Sequence, residues 1–237
     1  MGAKALSPGS IAATLATAVW DASFLFGLPM VTMRRHPLGD WSRVAKRAGD
    51  LVLTTAVIGF IAPVLTVIAL AVGLDSPGPI LFRQRRLGFN NNVINIFKFR
   101  TMVHQPKEDT RVVQAQRRAK RVTRVGRFLR RTSLDELLQL LNVLRGEMSL
   151  VGPRPHALAH NDEYAALIDG YLGRHRVQPG ITGWAQVNGL RGETDILEKM
   201  QRRVEHDLAY IDQWSLRLDL KILALTVVTT LFDRNAY

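Results

Sequence analysis

Hydrophobic and polar positions divide this chain into three regimes. Residues 11–33 are apolar but interrupted by Asp21 and Pro29, and they end at Arg34-Arg35. Residues 51–74, LVLTTAVIGFIAPVLTVIALAVGL, carry no charge over 24 positions. From residue 76 onward, apolar positions recur in short patterns among many charges, as a globular domain requires.

The central run would rise roughly 36 Å as a straight helix, enough to cross a hydrocarbon core of ~30 Å. A simple span is one reading, but two features favour a bent, re-entrant helix. Pro63 lies in the middle, where it removes a backbone hydrogen bond and clashes with the preceding turn. Each half is then roughly 18 Å long, sufficient to enter a bilayer and return. Both flanks are also basic: Arg43, Lys46 and Arg47 before the run, Arg83, Arg85 and Arg86 after it. Positive flanks belong on the cytoplasmic side, and a re-entrant path keeps both there. Backbone groups freed at the bend need partners such as Thr66 or Thr54. The weaker segment Ile11–Met33 can span, lie in the interface or pack on the central helix. It lacks the small-residue cleavage site of a signal peptide.

Past the apolar run, Ser76-Pro77-Gly78-Pro79 is a turn. ILFRQ and VINIFKFRT predict two short strands joined by an asparagine-rich turn, a β-hairpin. The spacing of Leu134, Leu137, Leu138, Leu141 and Leu144 predicts a helix from about Leu134 to Leu144, closed by Gly146. SLVGPRPHA is a loop in which Pro153 and Pro155 bracket Arg154. Helices are expected around Arg111–Arg131, over 157–175 and, amphipathic, over 194–213, with a short strand at WAQV. The C-terminal run from Trp214 reads as a core helix or an interfacial one. The fold class is therefore α+β and mostly helical: a membrane-associated domain with a re-entrant, Pro-kinked helix, a small β-hairpin and amphipathic interfacial helices.

Charge sharpens the picture. The formal net charge is +12, and 15 Lys/Arg face two acids between Arg83 and Leu134. Such an excess calls for a polyanionic partner: nucleic acid, an anionic membrane face or a phosphorylated substrate. No nucleic-acid-binding motif accompanies it. The chain has no cysteine, which excludes disulfides and thiolate metal sites.

Within this basic setting, RRTSLDELLQLL places Asp135 beside Glu136. Locally, Ser133 and Glu136 form a capping box, and acids in a first helical turn suit the helix dipole. The surroundings offer more. An ionised carboxylate can attack phosphorus, and nearby cations and a helix N-terminus would lower the pKa of Asp135 and keep it charged. Glu136 can hold a hard divalent ion. Lys98, Arg100, Arg127, Arg130 and Arg154 are candidate phosphate ligands. Gln186 and Asn188 are candidates for reading a base or sugar. His156 and His160, with Asp162 and Glu163 nearby, have metal-ligand spacing on a helix, but nothing else in the sequence supports a zinc site.

SPGPILFRQRRLG, NIFKFRTM, RVGRFLRRTSLDELLQLLNVLRGEMSLVGPRP and VQPGITGWAQVNGLRGETD together resemble the bacterial sugar transferases, the monotopic polyprenyl-phosphate phosphoglycosyl transferases. The C-terminal stretch is similar to the undecaprenyl-phosphate glucose phosphotransferases of exopolysaccharide synthesis. The resemblance implies transfer of a sugar-1-phosphate, glucose-1-phosphate first and galactose-1-phosphate or another hexose-1-phosphate as the alternative. The donor would be a UDP-sugar, the acceptor undecaprenyl phosphate and the leaving group UMP. It implies Asp135 as nucleophile, Glu136 as ligand to Mg2+ (or Mn2+), and Lys98, Arg100, Arg130 and Arg154 near the phosphates. Pro63 falls at the family's hinge, where a Ser-Pro pair is often found; here Ala62 precedes it. The implied division is 1–42 for an N-terminal apolar segment, 43–75 for the re-entrant helix and 76–237 for a catalytic domain on the cytoplasmic face of the bacterial inner membrane. Membrane lipids are expected partners, nucleic acid is not, and the C-terminal helix offers a face for a homodimer. The competing classes are a basic membrane-bound nucleic-acid binder and a non-catalytic scaffold.

Overall fold

A computed structural model describes residues 20–25, 28–33, 40–104, 121–156, 161–192 and 196–232. Where the N-terminal segment is described, it forms two antiparallel strands, β1 (Trp20–Leu25) and β2 (Leu28–Met33), with Trp20 opposite Met33. The rest of Ile11–Met33 lies outside the described residues.

The apolar run lies within one helix, α1 (Asp40–Asp75), long and apolar enough to cross a membrane by length and composition. Pro63 sits inside it, and the Thr66 hydroxyl donates to Ala62 O at 3.0 Å beside it. The carbonyl that Pro63 leaves without its helical donor is that of Gly59, so this bond is not the expected one; the buried Thr54 hydroxyl has no hydrogen-bond partner among the described residues. A stripe of buried positions, Lys46, Asp50, Thr54, Ile68 and Val72, follows the helical period and faces the globular body. Ile58, Ile61, Leu65 and Ala69 continue it, partly covered. The opposite face exposes Val52, Phe60, Val67, Leu70 and Leu74.

Polar clasps fasten α1 to the body on both sides of Pro63. Near its start, Lys46 pairs with Asp219 at 2.7 Å, and Arg47 donates to the carbonyls of Val143 and Leu144 at 2.6 and 3.0 Å. Asp50 accepts from Leu150 N at 3.2 Å. Near its end, Arg100 donates to Val72 O and Ser76 O. These carbonyls belong to the last turn of α1 and the residues after it, where a helix leaves acceptors unpaired.

The expected hairpin is present as β3 (Leu81–Leu87) and β4 (Val93–Phe99), with Leu81 opposite Phe99 and Leu87 opposite Val93. Asn90 and Asn91 make its turn with φ of 52° and 59°, a left-handed conformation that asparagine tolerates. β4 buries Ile94, Ile96, Phe97 and Phe99. Helix α2 (Arg124–Thr132) is capped by Thr123, whose hydroxyl accepts from Gly126 N. Gly126 is required for a close approach: a Cβ there would lie 2.1 Å from Thr101 O.

Ser133, at φ 57°, ends α2 and begins a 3-10 turn, Leu134–Leu138, that leads into α3 (Gln139–Arg145). The predicted Leu134–Leu144 helix is thus tighter in its first half, and Gly146 closes it at φ 81°. Strand β5 (Ser149–Val151) pairs in parallel with β6 (Gly180–Thr182). The two cross so closely that a Cβ on Gly180 would lie 2.1 Å from Gly152 N.

The remaining helices are α4 (Asn161–Leu167), α5 (Trp184–Val187), α6 (Leu197–Asp212) and α7 (Leu216–Phe232), with a 3-10 stretch at Tyr171–Arg176. WAQV is therefore helical, not a strand; Asn188 N and Gly189 N turn back to Trp184 O and Gln186 O. The helix expected over 157–175 is broken by Gly170 at φ 73°. Of the helix expected around Arg111–Arg131, residues 111–120 lie outside the described residues. The main core gathers Ile94, Ile96, Val143, Val151, Ile211 and Ile222 from β4, α3, β5, α6 and α7, with Met148 from the link between α3 and β5.

Candidate active site

The strand that carries Lys98 and the turn that carries the two acids are stitched together by Asn142. Its side chain is fully buried. Oδ1 accepts from Phe97 N at 3.0 Å, while Nδ2 donates to Asn95 O at 2.7 Å and to Glu147 at 2.6 Å. A carboxamide offers both an acceptor and donors, so it can pair with a strand edge as a backbone amide would. This fixes β4 against α3 and sets Lys98 opposite Glu136.

Glu136 is held by two cations. Lys98 Nζ donates to Oε1 at 2.8 Å. Arg154 donates to both oxygens, at 2.5 and 3.0 Å, the forked geometry that favours arginine. The Glu136 side chain is 12% exposed. Burial alone would raise its pKa, but Arg154 and then Lys98 overcome this and hold it well below the usual carboxylate range. Of roughly four lone-pair positions on a carboxylate, the described residues fill three and leave one open on Oε2.

Asp135 is 9% exposed and receives no hydrogen bond from the described residues. Burial first, and the charge of Glu136 second, push its pKa up to about 6, against the pull of Lys98, Arg130 and Arg154. This reverses the expectation that cations and a helix N-terminus would lower it: the cations spend most of their field on Glu136. The capping box is also absent. The Ser133 hydroxyl caps nothing and instead accepts from Arg191 at 3.1 Å. Glu136 turns away from the Ser133 backbone toward Lys98 and Arg154. Two adjacent acids therefore occupy opposite electrostatic states, one clamped as an anion and one buried without a partner.

A family model for bacterial sugar transferases matches residues 41–233. The chain belongs to the bacterial sugar transferase family. A relative from Escherichia coli (strain K12), named UDP-glucose:undecaprenyl-phosphate glucose-1-phosphate transferase, is 56% identical over 211 residues, covering 89% of this chain and 45% of the relative. A protein of the same name from Caulobacter vibrioides is 51% identical, covering 88% of this chain and 78% of its own length. A UDP-N-acetylgalactosamine-undecaprenyl-phosphate N-acetylgalactosaminephosphotransferase from Aeromonas hydrophila is 40% identical, covering 78% of this chain and 43% of the relative. The chain thus spans less than half the length of the E. coli relative.

In this member of the family, the other expected residues divide clearly. Arg130, half-buried on α2, contributes its charge at Asp135. Arg127 is exposed on the same helix, and Arg100 donates through Nη2 to Val72 O and Ser76 O while its buried Nε and Nη1 have no partner among the described residues; neither joins the clamp on Glu136. Gln186 is buried and donates to Ile181 O at 3.3 Å, and Asn188 donates to Trp184 O at 2.7 Å. Both hold their own turn. Trp184 packs partly buried against the main core, with the Lys221 ammonium 5.3 Å from its ring centroid. His156 packs on Tyr171 and Arg174; burial and then Arg174 hold its pKa well below the ordinary value. His160 lies outside the described residues. Among the described residues no group of three or more His, Asp or Glu side chains could hold a metal.

Sequence reading missed three groups. Arg174, buried and paired with Asp207 at 2.6 Å, donates to Arg154 O at 2.9 Å and so fixes the loop that carries the clamp. Asn142 and Arg191 are the others. Each acts across 20 to 58 positions in the chain, which no local pattern reveals.

Proposed function

We propose that this chain transfers a hexose-1-phosphate, glucose-1-phosphate first, from a UDP-sugar to undecaprenyl phosphate, with Asp135 as a covalent nucleophile. The observation that carries the reading is the asymmetry of the dyad. Lys98 and Arg154 satisfy Glu136, while Asp135 is buried beside them with no hydrogen bond from the described residues and a pKa raised to about 6. A nucleophile must be free to leave its neighbours, and an oriented electrostatic group must not.

The steps balance without a proton. An oxygen of ionised Asp135 attacks the β-phosphorus of the donor; the bond from that phosphorus to the bridging oxygen breaks, and UMP leaves with the oxygen. A phosphate oxygen of undecaprenyl phosphate then attacks the same phosphorus, and the Asp135 carboxylate departs. Arg130, Lys98 and Arg154 supply the positive field around the phosphates. Mg2+ fits the donor set, because it needs only one or two carboxylates and takes phosphate oxygens and waters for the rest. Glu136 would hold it through the open position on Oε2, and it would neutralise charge on the diphosphate.

The re-entrant path of α1 is part of the same proposal. Its support is that clasps on either side of Pro63, at Lys46–Asp50 and at Val72–Ser76, grip one globular body. A straight span would carry the second clasp roughly 37 Å from the first, drawing polar parts of the body into lipid. A body held at the cytoplasmic face of the bacterial inner membrane meets both a soluble dianionic donor and a lipid acceptor.

Incubation of the purified protein with radiolabelled UDP-glucose and Mg2+, without lipid, tests the chemistry. The expected result is one UMP released per label retained on denatured protein, and no label on Asp135→Asn. Turnover of the lipid acceptor by that variant would defeat the assignment. Because the chain has no cysteine, single cysteines at Val44 and Asn92 report topology. Labelling of both from the cytoplasmic side supports re-entry, and labelling from opposite sides contradicts it. A panel of UDP-hexoses, including the N-acetylgalactosamine donor, fixes the sugar.

A further inference from the structure

Ser133 occupies the left-handed region, at φ 57° and ψ 18°, immediately before the turn that carries Asp135. A serine has no intrinsic preference for that conformation, so something must hold it. Its backbone does part of this: Ser133 N donates to Arg130 O, and Ser133 O accepts from Glu136 N. Its side chain is held by Arg191, whose guanidinium donates to Oγ at 3.1 Å.

Arg191 in turn stands on a built support. Glycines with positive φ flank its short loop, Gly189 at 82° and Gly192 at 99°. The buried Arg203, from α6, donates to Leu190 O at 3.1 and 2.6 Å and to Gly192 O at 3.0 Å, gripping the backbone on both sides of Arg191. Leu190 N closes the other end onto Ala185 O at 3.0 Å. Arg203 sits one turn before Asp207 on α6, the acid that pairs with Arg174. A buried guanidinium committed to two carbonyls of a partly exposed loop makes that loop a fixed platform, and the platform aims one side chain at Ser133.

We infer that Arg191 is a positioning residue for Asp135: through Ser133 it holds the left-handed turn that points the carboxylate, and Arg203 holds Arg191. The inference rests on Asp135 being the nucleophile. It differs from a direct grip of Arg191 on the donor, because the positioning role proposed for it passes through the Ser133 hydroxyl. Small displacements of a reacting group are costly, up to about 100-fold for 1 Å.

The test is a double-mutant cycle on adduct formation. Full-length protein, Arg191→Gln, Ser133→Ala and the double variant are mixed with radiolabelled UDP-glucose and Mg2+ and quenched rapidly. Both single variants are expected to slow label incorporation by about 10-fold, with the half-saturating donor concentration changed by less than about twofold. The double variant is expected to be no slower than the slower single one. An unchanged rate in Arg191→Gln overturns the inference. So does a raised half-saturating concentration in Arg191→Gln that Ser133→Ala does not share, which would mark direct donor binding. Multiplicative losses in the double variant also overturn it. Retained half-saturation shows that a slowed variant is folded. Failure of the nucleophile reading is distinguishable, because it appears as label on Asp135→Asn whatever Arg191 does.

Discussion

Replacing Asp135 by asparagine should stabilise this protein while abolishing its chemistry. The side chain is buried, and its pKa is raised from an ordinary 3.8 to about 6, by burial and then by Glu136. That displacement corresponds to about 3 kcal/mol disfavouring the ionised form in the folded state. The sign follows from linkage. Below pH ~3.8 the acid is protonated in folded and unfolded chains alike, and there is no penalty. Between ~3.8 and ~6 the unfolded chain ionises first and stability is lost. Above ~6 the full penalty applies. Asparagine keeps the shape without the charge, although its amide must find an acceptor, so the net gain at pH 7.5 is about 1–3 kcal/mol. For a domain of this size each kcal/mol moves the melting temperature by about 2–4 °C. The assay is thermal unfolding of both proteins in metal-free buffer from pH 4 to 8. The variant should melt higher at pH 7.5, and the gap should close toward pH 4. A variant that melts lower at pH 7.5, or a gap independent of pH, would refute the reasoning. Such a trade of stability for reactivity is common where a site must hold an unsatisfied group.

The neighbouring acid should behave oppositely. Glu136→Gln leaves Lys98 and Arg154 without their counter-charge and should destabilise by about 1–3 kcal/mol at neutral pH, by the same melts. The contribution of Glu136 is present above its unfolded value near 4.5 and fades as pH falls through its lower folded value; a gap that instead widens in acid would contradict the clamp. Asn142→Ala removes three hydrogen bonds at a fully buried position and should cost about 3 kcal/mol or more in denaturant titration. A cost under about 1 kcal/mol would mean that β4 and α3 do not need the stitch. Gly126→Ala forces a Cβ against Thr101 O and should displace α2, lowering both stability and the adduct rate; an unperturbed adduct rate would remove Arg130 from the site.

Much of the fold was legible because its signals are local. The hairpin follows from alternating apolar positions around Asn90–Asn92, the C-cap from Gly146, and the long helix from an uncharged run. The dyad, Lys98 and Arg154 stood out because acids are rare in that basic region and two prolines fix the arginine. What failed was what burial and distant partners decide. The capping box at Ser133 is a sound local motif, yet Lys98 and Arg154 outbid the backbone for Glu136. Neighbouring charges predict a lowered pKa for Asp135, but a sequence does not display the desolvation that raises it. That the Nη2 of Arg100 reaches carbonyls at the end of α1 is likewise invisible in the chain. Asn142, Arg174 and Arg203 act on backbone atoms of other segments and Arg191 on the Ser133 hydroxyl, and such bonds leave no pattern in the chain.

The central claim is that Asp135 becomes covalently bonded to the sugar phosphate. Quenching the protein with UDP-glucose and Mg2+ in the absence of lipid, reducing with borohydride and sequencing the peptides by mass spectrometry tests it directly. Borohydride converts an acyl-phosphate to the corresponding alcohol and so marks the residue that carried it. The account predicts homoserine at position 135, dependent on donor and removed by prior addition of undecaprenyl phosphate. Reduction at Glu136 instead, or no reduced residue while UMP is released in stoichiometric amount, would contradict it.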